Sequence, residues 1–119
     1  MLIVFTKPDF VFENDCGSLK QLVHNGWKQF NVITSVGGSV RGGHYHKFNN
    51  EGFYIISGHF RLIVWKDEQK EKYEMKPGDM FFIPPYVFHT FEYHDDTILV
   101  SMYSNGVELS ETEKDIWTE

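Results

Sequence analysis

Gly38-Ser39-Val40-Arg41-Gly42-Gly43-His44-Tyr45-His46-Lys47-Phe48-Asn49-Asn50-Glu51 opens the stretch whose reading decides the fold, and Gly58 closes it. Residues two apart on a strand share a face, so an extended chain here points His44 and His46 the same way. Lys47-Phe48-Asn49-Asn50 has turn chemistry, and the chain enters its next strand at Glu51. That path brings one carboxylate beside two imidazoles. Neutral imidazole with carboxylate suits zinc, iron, manganese, nickel or cobalt.

A second stretch adds a third histidine. Pro77-Gly78-Asp79 makes a tight turn, Met80 to Ile83 reads as a strand, Pro84-Pro85 breaks it, and His89 falls on the strand that follows. Phe88 and Phe91 surround His89 with apolar groups, where a polar ring needs a partner.

Working outward, short β-rich runs alternate with turn residues along the whole chain. Met1 to Phe5 is apolar but brief, lacks a basic flank and soon meets Lys7-Pro8, so it reads as a first strand and not as a signal peptide. Val32 to Val36 ends at Gly37-Gly38, and Phe53 to Ile56 ends at Ser57-Gly58. Phe60 to Trp65 leads into a charged hairpin, Lys66 to Lys72, and Ile98 to Tyr103 is the last clear strand. Many short strands at even spacing indicate a sandwich or barrel. Alternation places Phe60, Leu62 and Val64 on a core face, with His59, Arg61, Ile63 and Trp65 on the other, a mixture that suits a subunit interface. In the tail, Ser110-Glu111-Thr112-Glu113 fits a capping box and predicts a short C-terminal helix over Lys114 to Trp117. No linker, low-complexity stretch or internal repeat is visible.

Composition agrees with an all-β fold. The 119 residues are the length of one domain, 1–119, and 17% are aromatic, with eleven Phe and six Tyr to fill the space between sheets. A net charge of -6 argues against nucleic acid or an anionic membrane as the main partner, and leaves a small-molecule ligand. The lone Cys16 has no internal disulfide partner, and no apolar run approaches a membrane span, so the simplest placement is cytoplasmic.

The two stretches resemble, almost residue for residue, the paired motifs of the cupin superfamily. Motif 1, residues 38–58, matches at every defining position. Motif 2, residues 78–93, keeps Gly78, Pro84 and His89 but has Tyr86 where glycine is usual and Tyr93 where asparagine is usual. The resemblance implies a cupin jelly-roll β-barrel holding one divalent transition metal (zinc, iron, manganese or nickel) through His44, His46, Glu51 and His89. The alternative it leaves open is a metal-free polar cluster, because several sugar-isomerising relatives use such histidines directly as acid and base. Tyr86 is expected to narrow the barrel mouth.

A narrower resemblance rests on Gln29-Phe30-Asn31-Val32, on Arg41-Gly42-Gly43-His44-Tyr45-His46-Lys47, and on Glu51-Gly52-Phe53. These are similar to cupin domains of bacterial polysaccharide synthesis, those attached to capsular-sugar reductases and the free-standing nucleotide-sugar 3,4-ketoisomerases. Asn14-Asp15-Cys16-Gly17-Ser18-Leu19 is similar to an upstream motif of theirs, with Cys16 in place of arginine and Asn14 in place of aspartate. The ketoisomerases commonly carry glutamine where this chain has Glu51, which moves it towards the metal-binding branch.

The implied activity is isomerisation or epimerisation of a keto-sugar, nucleotide-linked in the relatives. The metal would polarise the carbonyl, Arg41 would hold a phosphate or developing oxyanion, and Tyr93, inward-facing by alternation from His89, is a candidate base. A histidine free of metal is the other candidate base. Two further functions stay open, a metal-dependent dioxygenase and a non-catalytic sugar-binding module. Aromatic outer faces and a free N-terminal strand predict a homodimer.

Plainer roles stand beside these. Arg41 follows a glycine-rich turn and is otherwise read as solvated. Tyr45 and Lys47 alternate away from the ligand face. His24, His59 and His94 are read as surface residues, Cys16 as unreactive, and Trp27, Trp65 and Trp117 as packing or interface groups.

Overall fold

The computed structural model describes residues 1–119, which form eleven strands. In chain order these are β1 (Val4–Thr6), β2 (Phe10–Asn14), β3 (Gly17–Gln21), β4 (Gln29–Ser35), β5 (Val40–His44) and β6 (Glu51–Ser57). They continue with β7 (Phe60–Lys66), β8 (Gln69–Met75), β9 (Met80–Ile83), β10 (Phe88–Tyr93) and β11 (Thr97–Tyr103). One sheet runs β1-β9-β6-β11-β4 and faces a second, β5-β10-β7-β8; every strand pairing is antiparallel. This is the jelly-roll sandwich that the alternating strands and frequent turns call for.

The core lies between the sheets, and aromatic rings fill it. Phe60, Leu62 and Val64 are fully buried, as their shared face requires, and they meet Phe53, Phe81, Phe91 and Leu99 from the other strands. Phe53 stacks on Phe81 and Phe60 on Phe91, each with ring centroids 5.0 Å apart. Trp65 on the opposite face stacks on Phe88 at 5.4 Å.

The charged run after β7 is an exposed hairpin, but its turn takes only Asp67 and Glu68, because Lys66 already pairs with Gln69. Gln69 to Lys72 continue as an edge strand, and Lys70 and Lys72 lie exposed along it. Charge on an edge discourages pairing with another chain. Contrary to the expectation from sequence, the N-terminal strand is not free: β1 pairs with β9 of the same chain, while β2 and β3 form a separate ribbon exposed along its whole length.

The expected C-terminal helix does not form. Ser110 Oγ does accept from the Glu113 amide at 3.1 Å, so the capping signal is locally real. Leu109 N and Ser110 N, however, both donate to the Glu113 carbonyl, closing a bridged turn in which Glu108 pairs with Lys114. Beyond it Trp117 bridges to Tyr45, and Asp115 is drawn inside. Those long-range bonds outweigh one helical turn too short to be stable alone. No helix is long and apolar enough to cross a membrane.

Candidate metal centre

Four elements converge at one end of the cavity between the sheets. His44 ends β5, His46 lies in the following loop, Glu51 begins β6, and His89 sits on β10. Their ligand atoms all lie within 4.8 Å of one another. A bulge makes this possible. His89 pairs with His44 but Thr90 pairs with Gly42, so Gly43 is the extra residue on β5. Gly42 has φ +129°, and a Cβ there would stand 2.5 Å from the His89 carbonyl oxygen, so only glycine lets the two strands approach this closely.

The groups behind the ligands fix their rings. His89 Nδ1 lies 3.2 Å from the Val87 carbonyl, and His46 Nδ1 lies 2.5 Å from the Asp115 carbonyl. A carbonyl can only accept, so each Nδ1 carries the proton and each Nε2 is turned into the cluster. The Gly42 carbonyl likewise hydrogen-bonds the His44 ring. Inside, His46 Nε2 is 2.8 Å from Glu51 Oε1. His89 Nε2 is buried and has no hydrogen-bond partner at all.

Burial first, and then the neighbouring His46, lower the His44 pKa; burial pulls His89 down to about 4. Both rings are therefore neutral at pH 7 with lone pairs to offer. His46 goes the other way. Burial opposes it, yet the hydrogen bond and charge of Glu51 raise its pKa overall. Two neutral imidazoles, a third beside a carboxylate, and one orphaned nitrogen form a plausible buried site for a single divalent metal ion.

The cavity above the cluster measures about 210 Å³. Ile33, Phe53, Phe91 and Leu99 give it apolar walls, and Arg41, Tyr93 and Tyr103 add polar groups. Tyr93 faces inward as alternation predicts, since the bulge falls on β5 and spares β10. Burial raises its phenol pKa, with Ser35 and Arg41 acting in the opposite sense. Arg41 is exposed yet lines the cavity, tethered by Nε to Ser35 Oγ at 3.1 Å and by Nη2 to the Thr34 carbonyl at 3.2 Å.

Tyr86 does not narrow the mouth. It is absent from the cavity lining and packs outside against Tyr45, in a left-handed conformation of φ +67° that explains why glycine suits this place. His24, His59 and His94 stay away from the centre, each exposed and paired with a carboxylate: Asp9, Asp95 and Glu74. Cys16 is exposed. Lys47 sits over the Trp117 ring and Tyr45 against Phe88, away from the ligands.

Two residues of the site escaped the sequence reading. Tyr103 was within reach of it, because Leu99, Ser101 and Tyr103 share the buried face of β11. Asp115, among charged tail residues, carries no local signal.

Comparison with known proteins places this geometry. Residues 31–104 match the family model described as the cupin domain. Among curated proteins, a 3-hydroxyanthranilate 3,4-dioxygenase of Burkholderia cenocepacia is 40% identical over 60 residues, half of this chain and 34% of that protein. The chain thus spans about a third of the length of the curated relatives it matches. Among solved structures, the sugar 3,4-ketoisomerase QdtA of Thermoanaerobacterium thermosaccharolyticum, in complex with TDP, superposes with a TM-score of 0.79 at 19% identity, over 99% of this chain and 88% of that one. The TDP-fucose-3,4-ketoisomerase WlaRA of Campylobacter jejuni gives 0.78 at 16% identity, over 100% and 90%. At such identities these likenesses speak for the fold.

Proposed function

This chain belongs to the cupin domain family, and from that premise we propose that it is a metal-dependent enzyme isomerising or epimerising a keto-sugar, with residues 1–119 working as one cupin domain. The observation that carries the proposal is the orphaned His89 Nε2 within a four-residue ligand set that lines a cavity between the sheets. His44, His46, Glu51 and His89 would hold zinc, iron, manganese or nickel, and the ion would supply Lewis acidity to a carbonyl oxygen.

The remaining residues suit proton movement beside that carbonyl. Tyr93 is held in its protonated form, so its resting role is to donate to a substrate oxygen, and it serves as base only after passing that proton on. Arg41, steadied by Ser35 and Thr34, offers fixed positive charge to an oxyanion or a phosphate. Phe53, Phe91 and Leu99 keep water from the reacting carbons. The cavity falls below the roughly 300–1,000 Å³ typical of drug-sized ligands, so it takes a sugar ring and leaves any attached nucleotide outside.

A second reading, a metal-dependent dioxygenase, is favoured by the 40% identity to the Burkholderia protein. The two part in one experiment. Metal-loaded protein is incubated in D₂O with 4-keto-6-deoxy sugars, free and TDP-linked, while dissolved oxygen is followed. Deuterium entering the carbon beside the carbonyl, with no oxygen consumed, supports isomerisation. Oxygen uptake with 3-hydroxyanthranilate, and no exchange in any sugar, supports the dioxygenase.

A further inference from the structure

Asp115 is fully buried in a tail whose neighbours are exposed or half-buried. Its carboxylate accepts four hydrogen bonds. Oδ1 takes Lys47 N at 2.8 Å and Trp117 Nε1 at 2.7 Å; Oδ2 takes Phe48 N at 2.9 Å and Asn49 Nδ2 at 2.8 Å. Its amide donates to the Val107 carbonyl at 2.7 Å, and its own carbonyl receives His46 Nδ1. Tyr45 and Trp117 exchange two further backbone bonds, of 2.9 and 3.0 Å. Asp115 is absent from the cavity lining.

A buried carboxylate is costly unless fully hydrogen-bonded, and this one is. What it binds is informative. Three of the four donors belong to residues 47–49, the turn joining His46 to Glu51. The negative charge shapes that turn, and the carbonyl of the same residue orients the imidazole at its start.

We propose that Asp115 is a positioning residue for His46: its side chain fixes the 47–49 turn while its carbonyl holds the Nδ1 proton, so that Nε2 is presented to the cluster. Residues 107–117 then act as a strap that completes the centre from outside the barrel motifs. The proposal rests on the metal reading of the cluster, but ring orientation can be measured with or without metal.

The test uses full-length protein labelled with ¹⁵N-histidine, followed by long-range ¹H–¹⁵N NMR both metal-free and zinc-loaded, with zinc affinity measured by chelator competition. Wild type is expected to show a His46 Nδ1 proton protected from solvent exchange in both states. Asp115→Ala should lose that protection and bind zinc roughly 10–100-fold more weakly, the range for groups that orient ligands. Asp115→Asn, which keeps one oxygen, should recover part of the loss, and Glu113→Ala, exposed on the same strap, should stay within about twofold of wild type. A folded Asp115→Ala with wild-type zinc affinity overturns the proposal, as does a zinc-loaded wild type whose His46 carries its proton on Nε2. Should Asp115→Ala not fold, Asp115→Asn takes its place: whichever oxygen the amide nitrogen replaces, a bond from the Lys47 or the Phe48 amide is lost, and a zinc affinity unchanged there counts equally against the strap. A wild type that takes up no zinc contradicts the metal reading; the metal-free spectra of wild type and Asp115→Ala then decide the strap alone.

Discussion

His89 Nε2 lies 3.5 Å from Glu51 Oε1, and both residues are buried. That separation is too long for a good hydrogen bond. It is close to the ~3.4 Å between two ligand atoms that each stand about 2.1 Å from one tetrahedral ion. A histidine nitrogen sealed from water and left unbonded costs about 1–3 kcal/mol, which a shared metal would offset.

Gly42→Ala tests how the strands deliver that pair. A Cβ at Gly42 collides with the His89 carbonyl, and φ +129° disfavours any side chain. The substitution should destabilise the protein by about 1–3 kcal/mol and weaken metal binding in parallel, by prising β5 from β10. Chemical denaturation and metal titration of the variant check both. Full stability with full affinity would show that the bulge is not what brings His44 to His89.

How much of this was legible follows from the range of each contact. Spacing alone placed His44, His46 and Glu51 together, and alternation placed Tyr93 inside and Phe60, Leu62 and Val64 in the core, because strand geometry is local. The tail was misread because its fate is decided far away. Asp115 meets Lys47 and Phe48 across 68 and 67 residues, a pairing with no periodicity to betray it. The same holds for His59 and Asp95, 36 residues apart, where a surface pair replaces an expected lone ring.

The metal-free protein should be most stable near pH 6.5. His89 titrates at about 4 when folded, chiefly through burial, so between there and its ordinary 6.5 the unfolded chain binds the extra proton and stability climbs with pH. His44, also lowered by burial, adds to that limb. His46 is raised, since Glu51 overcomes its burial, so above pH 6.5 the folded state holds the extra proton. Stability then falls as pH passes through the folded His46 value. Thermal melts of chelator-treated protein from about pH 4 to 9 should trace a maximum; a curve still rising at the alkaline end would remove the His46–Glu51 pair from the account.

Tyr86→Gly should be tolerated and mildly stabilising, by about 0.5 kcal/mol, because relief of the left-handed backbone slightly exceeds the entropy glycine adds to the unfolded chain. Since Tyr86 lies outside the cavity, metal affinity should not change. A drop of more than about 1 kcal/mol would mean that its packing on Tyr45 matters more than its strain.

Two copies are expected to associate through the β2–β3 ribbon, whose Phe10, Phe12 and Leu19 are each more than half exposed in one chain. Light scattering should report twice the chain mass at micromolar concentration, and Phe12→Asp should halve it. A monomeric wild type under those conditions refutes the expectation.

Calorimetric titration of metal-free protein with zinc, beside the same titration of His89→Leu, tests the centre most directly. The prediction is one ion per wild-type chain and none per His89→Leu chain, with the metal-free variant melting no lower than wild type because the orphaned nitrogen is gone. Wild type that binds no ion, or a variant that binds as well, would contradict a metal centre built from His44, His46, Glu51 and His89.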